Sequence, residues 1–137
     1  GGHGARQDDG ALIELADFAY LGTRFIATTE SRAPEDYKQM ILAATAKDIV
    51  YTNAISGVNG NFLSASLEAA GLDPKNLPAF NRELHLGSSE KRAWKNIWSA
   101  GQGVGAIRDV PSMAELVARL RAEYAEAIAG LNRGFAA

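Results

Sequence analysis

The apolar residues of this chain fall into short clusters separated by glycine, proline and hydroxyl residues, and their spacing differs from cluster to cluster. Asp17-Phe18-Ala19-Tyr20-Leu21 is a compact run with aromatic members that ends at Gly22-Thr23-Arg24, the pattern of a buried strand feeding a glycine turn. Further on, Thr29 and Ser31 precede Pro34-Glu35-Asp36, an order of hydroxyls, proline and acids that predicts a helix start. That helix is expected to run to about Ala46, with Tyr37, Met40, Ile41 and Ala44 on its apolar face and Lys38 and Gln39 pointing elsewhere. Asp48 to Asn53 is β-branched and reads as extended. Ser56 to Asn61 is turn chemistry, and Phe62 to Ala70 reads as a short helix stopped by Gly71 with Pro74 beyond. The stretch Asp73 to Gly87 lacks periodicity and reads as a long loop. Ser88 or Ser89 can cap a helix carrying Ala93, Trp94, Ile97 and Trp98 and ending at Gly101. Ser112 with Glu115 is a capping-box pattern behind Pro111, opening a last helix with Leu116, Val117, Leu120, Tyr124, Ala127, Ile128 and Leu131 as its stripe.

Composition narrows the class. The 137 residues, 14.6 kDa, suit a single domain with a core; with 47% apolar and 22% charged residues, disorder and collagen-like repeats are excluded. Fourteen basic against 16 acidic residues leave a net charge of -2, with no general attraction to nucleic acid or an anionic membrane. The absence of cysteine removes thiol catalysis, thiolate metal sites and disulfides, and is compatible with a cytoplasmic setting. No apolar run approaches the roughly 20 residues of a membrane helix, and the start does not look like a signal peptide, so the chain reads as soluble.

Several residues could carry chemistry. Gly22 lets the backbone approach a ligand, and the amides after it, with the Thr23 hydroxyl, can donate to a phosphate; an ordinary strand-ending turn is the simpler account. Ser99-Ala100-Gly101-Gln102-Gly103-Val104-Gly105 follows an expected helix and lacks the spacing of a dinucleotide fingerprint, so it reads as a helix cap and tight connection; Gln102 could still present an amide to a planar ligand. Gly1-Gly2-His3-Gly4 places an imidazole in a glycine loop, where it can act as a base near neutral pH or be a frayed end. His85 reads as a surface residue, and two histidines without paired carboxylates argue against a metal site. Trp94 and Trp98 suit core packing or an interface before a stacking platform. Arg24 can pair with an acidic neighbour or with a ligand anion, and the charges Glu115, Arg119, Arg121, Glu123 and Glu126 read as a solvated helix surface.

These motifs are specific in combination. Gly1-Gly2-His3-Gly4, Leu21-Gly22-Thr23-Arg24-Phe25-Ile26-Ala27-Thr28, Ile49 to Gly57 and Ile97 to Gly105 occur in that order, and from about Asp17 to Tyr124 the chain resembles the carboxyl-terminal part of the nitronate monooxygenase family, formerly called 2-nitropropane dioxygenases. The resemblance implies an α/β chain forming the carboxyl-terminal portion of an FMN-binding TIM barrel with appended helices. It implies that Gly22 and Thr23 hold the FMN phosphate, in keeping with phosphate sites after the last barrel strands. It further implies that Gly1 and Gly2 lie against the flavin, that His3 is the base for a neutral nitroalkane, and that Gln102 lines the flavin pocket. The implied reaction is oxidation of an alkyl nitronate by dioxygen through FMN, giving a carbonyl compound and nitrite.

The chain departs from the family pattern in length. A TIM barrel takes roughly 250 residues, so residues 1–137 are expected to form a partial flavin-binding barrel domain with carboxyl-terminal helices, with a family segment missing between about residues 4 and 16. Weak FMN binding by the 137 residues alone is expected. The same motifs suit FMN-dependent enoyl reductases and NADH:quinone reductases of the superfamily, and the outside alternative is a non-catalytic helical interaction fragment. The expected partners are a small-molecule nitronate or nitroalkane and dioxygen, with no nucleic acid and no membrane, and a homo-oligomer left open.

Overall fold

The computed structural model describes residues 21–80 and 96–134. The expected strand before Leu21, the Gly-Gly-His loop, His85 and Trp94 lie outside those residues. In chain order the elements are α1 (Thr23–Ile26), α2 (Glu35–Ala43), a 3₁₀ turn (Ala46–Asp48), β1 (Ile49–Thr52), β2 (Gly60–Leu63), α3 (Ser64–Ala69), a second 3₁₀ turn (Gln102–Ala106) and α4 (Met113–Gly134). This is a mixed α/β arrangement.

Helix α2 starts where the sequence places it. Pro34 is its N-cap residue, and the Pro34 carbonyl accepts from the amides of Tyr37 and Lys38. It ends short of Ala46, because Thr45 begins a new local structure: its amide and its hydroxyl both donate to Asp48 Oδ2 at 2.8 Å, a capping box that opens the first 3₁₀ turn. On α2, Ile41 is fully buried and Ala44 just beyond it is buried, while Tyr37 and Met40 pack against the same cluster. Lys38, expected to point away from the apolar face, is nonetheless buried. Only 6% of it is exposed, and its ammonium donates to the Thr28 carbonyl at 2.7 Å, supplying a donor to a buried acceptor.

Strand β1 pairs antiparallel with β2 in the register Ile49↔Leu63, Val50↔Phe62, Tyr51↔Asn61 and Thr52↔Gly60. Phe62 and Leu63 are therefore strand, and the helix expected from Phe62 starts at Ser64. The connection turns through Gly57, whose φ of 75° suits glycine and whose amide donates to the Asn53 carbonyl at 2.8 Å. Gly71 stops α3 as expected, with φ at 80° and its amide on the Glu68 carbonyl at 2.9 Å.

The expected tryptophan helix is corrected over its described part. From Asn96 to Gly101 the chain is not helical, since its backbone is engaged by the sheet and α3. The Leu63 amide donates to the Trp98 carbonyl at 2.9 Å, the Trp98 amide donates to Ser66 Oγ at 3.0 Å, and Ser99 bridges Phe62. The Trp98 ring stacks on Tyr37 with centroids 4.9 Å apart. Tyr37 in turn donates its hydroxyl to the Ser99 carbonyl, and burial holds its pKa above the ordinary phenol value.

The core joins these pieces: Ala27, Ile41, Ala44, Leu63, Ala100, Val104 and Ile107 form one buried cluster. Helix α4 carries the expected capping box, with the Ser112 amide and hydroxyl on Glu115 Oε2 at 2.8 and 2.7 Å. Its stripe is only partly covered: Leu116 is buried, whereas Val117, Tyr124 and Ile128 are exposed. Among the described residues no helix is long and apolar enough to cross a membrane.

Candidate functional site

The Gly22-Thr23 turn and the Gly101–Gly105 loop are separated by most of the chain, and the fold brings them into contact. Gly22 is the N-cap of α1, a single helical turn that the sequence reading did not include and that precedes the expected helix α2. The reason is local: the Phe25 amide closes on the Gly22 carbonyl at 3.1 Å, and Thr28 Oγ1 donates to the Phe25 carbonyl at 2.8 Å. Thr23 Oγ1 then accepts the Gly101 amide at 2.8 Å. A hydroxyl has one proton and two lone pairs, so accepting from Gly101 leaves the Thr23 proton available to donate.

Both motifs wall a cavity of about 370 Å³, a volume at the low end of small-molecule sites. Leu21, Gly22 and Thr23 form one side with Gly101 and Gly103, while Leu116, Arg119 and Leu120 of α4 face them. A Cβ on Gly22 or on Gly103 would meet no heavy atom within 4 Å, so packing within the described chain does not demand glycine at either place. Open space beside exposed backbone is what a close-lying ligand requires. Helix α1 is a single turn, too short for a large macrodipole, so what the turn can offer an anion is its amides and the hydroxyl.

The charge around the cavity is tied down. Arg24 donates to Asp109 Oδ1 at 2.8 Å, to the Asp109 carbonyl at 3.0 Å and to the Ala27 carbonyl at 3.3 Å, so of its two expected partners the structure gives it the acidic neighbour. Arg119 also reaches Asp109, at 2.7 and 3.2 Å, and is not merely part of a solvated surface. The Arg119 hydrogen bonds, followed by the Coulombic attraction of both guanidinium groups, hold the Asp109 carboxyl below its ordinary pKa. Arg24, Arg108 and Arg119 against Asp109 and Glu123 leave the lining net positive, which suits an anion.

Of the residues singled out in the sequence, Gly22 and Thr23 are on the cavity wall. Gln102 opens the second 3₁₀ turn and is exposed, while its neighbours Gly101 and Gly103 line the cavity. Gly1, Gly2 and His3 lie outside the described residues. Sequence reasoning missed Asp109; the signal available was an arginine in a glycine turn with no acidic residue beside it, which calls for a distant carboxylate.

Fold and site together define an α/β chain with a glycine-threonine turn and a glycine-rich loop on either side of an anion-compatible cavity. A profile of the nitronate monooxygenase family matches residues 1–123, and the chain belongs to that family, one of flavin oxidoreductases. It is 32% identical over 132 residues to a nitronate monooxygenase of Paraburkholderia phytofirmans, an alignment covering 90% of this chain and 36% of the relative. Among solved structures it is similar to FabK from Thermotoga maritima, with 25% identity and a TM-score of 0.59 over 83% of this chain and 38% of that one. A point mutant of the same FabK gives a TM-score of 0.60 at 22% identity, over 92% of this chain and 40% of that chain. The chain thus spans well under half the length of the relatives it matches.

Proposed function

We propose that this chain is the carboxyl-terminal portion of an FMN-binding TIM barrel, and that the protein oxidises alkyl nitronates with dioxygen to a carbonyl compound and nitrite. The observation that carries the reading is the Gly101 amide on Thr23 Oγ1 at 2.8 Å, which joins the two glycine motifs of the resemblance in the wall of one cavity. Membership of the nitronate monooxygenase family supports it. FMN, when bound, would supply the electron chemistry between nitronate and dioxygen.

The chain's own residues do the rest. The Gly22 and Thr23 amides and the Thr23 hydroxyl proton bind the phosphate end, and the glycine at 22 keeps side-chain bulk away from it. Gly101 and Gly103, on either side of Gln102, line the cavity, and the family resemblance assigns Gln102, Gly1 and Gly2 to the flavin. His3 takes the proton from carbon when the substrate arrives as a neutral nitroalkane; a nitronate has already lost it. A second reading, an FMN-dependent enoyl reductase or NADH:quinone reductase of the same superfamily, is kept alongside by the fold shared with FabK.

The test is made on protein purified at its native length. Stoichiometric flavin absorbance and nitrite release from propyl-2-nitronate support the proposal. Flavin absorbance with no nitrite, but with NADH oxidation against a quinone or an enoyl thioester, replaces it by the second reading; absence of flavin overturns both.

A further inference from the structure

One carboxylate in this structure is shared by two guanidinium groups, and neither family motif includes it. Asp109 lies between the second 3₁₀ turn and α4, with Oδ1 accepting from Arg24 and both oxygens accepting from Arg119. The two ends differ in shelter: the Arg24 side chain is 12% exposed, against 46% for Arg119 and 43% for Asp109. Arg24 follows Thr23 directly, and its guanidinium also holds the Ala27 carbonyl just beyond α1. A rotation of α1 that moved Thr23 would therefore break the Arg24 bonds to Asp109 as well. The network joins the glycine turn, the segment at residue 109 and the last helix around one cavity.

We propose that Asp109 is a positioning residue for the Gly22-Thr23 turn. Through Arg24 it fixes the direction in which the Thr23 hydroxyl and the turn amides meet the cavity, and through Arg119 it makes that direction depend on where α4 sits. The effect on ligand binding rests on the reading of this turn as the holder of the FMN phosphate. The paired carboxylate also keeps the Arg24 cation engaged, so the phosphate meets the uncharged donors of the turn instead.

The informative variant is Asp109→Glu, which preserves the charge and displaces the carboxylate by one methylene. FMN and riboflavin, which lacks the phosphate, are titrated in parallel against the native-length apoprotein, with Thr23→Val as the second variant and exchange mass spectrometry on the peptide containing Gly101. The expected result is about fivefold weaker FMN binding by Asp109→Glu, the scale of a half-exposed ion pair, with riboflavin unchanged and the Gly101 amide exchanging faster. Equal weakening of both ligands, or of neither, with Thr23→Val still selective for FMN, overturns the role of Asp109 and leaves the phosphate reading standing. If Thr23→Val shows no selectivity, the phosphate reading fails, and Gly101 exchange alone decides whether Asp109 positions the turn: unchanged exchange in Asp109→Glu refutes it.

Discussion

Replacing Thr23 with valine keeps the shape of the side chain and removes the one acceptor that the Gly101 amide uses. An amide left without a partner costs about 1–3 kcal/mol when fully buried. Gly101 is half-buried beside an open cavity, where water can partly replace the hydroxyl, so the expected loss is at the lower end, about 1 kcal/mol. Thr23→Ser keeps the oxygen and loses a half-buried methyl, which is worth less than the roughly 0.8 kcal/mol of a fully buried one. Equilibrium unfolding in urea reads the difference: with a slope of about 1–3 kcal/mol/M, the valine variant's midpoint falls by about 0.3–1 M. Exchange of the Gly101 amide should accelerate about fivefold in the valine variant and little in the serine one. If valine is as stable as threonine and leaves Gly101 exchange untouched, the hydrogen bond does not hold the two motifs together.

Two further outcomes follow from the core and from the exposed carboxylates. Ile41→Ala, at a fully buried position against Leu63, Val104 and Ile107, should cost about 2–5 kcal/mol in denaturant unfolding, whereas Val117→Ala on the exposed side of α4 should stay within about 0.5 kcal/mol. Glu30, Asp48, Asp73, Asp109 and Glu115 all have pKa values lowered by hydrogen bonds to amides, hydroxyls, an Asn amide or guanidinium groups. A carboxylate depressed on folding contributes stability above its unfolded pKa and loses it as pH falls through the folded one, so melting temperature should hold from pH 7 to about 5 and drop below about pH 4. A melting temperature that rises on acidification through that window would contradict the assignment.

The elements legible in the sequence are those with local causes. The Ser112–Glu115 box, the Gly71 stop, the proline-led start of α2 and the β-branched run of β1 each depend on residues within a few positions of one another. What escaped depends on distant partners. Phe62 reads as helical until β1 supplies the ladder it pairs with, and Trp98 sits at helical spacing although its backbone is taken by Leu63 and Ser66. Lys38 is polar on any scale, yet the Thr28 carbonyl needs its proton. At the site, residue types announced the glycine-threonine turn and the glycine loop; their meeting across 78 positions, and the carboxylate at Asp109 that ties Arg24 to Arg119, belong to the fold.

The head of α4 is not anchored by its own neighbours alone. The Thr29 amide donates to the Pro111 carbonyl at 3.0 Å, and the Met113 amide donates to Glu30 at 2.9 Å, so the helix begins at a point indexed to the segment just after α1. An α-helix advances about 100° per residue. A residue gained or lost between Met113 and Leu116 would therefore turn Leu116 out of the interior and swing Arg119 away from its carboxylate in a single step. That first turn is closed to changes of length.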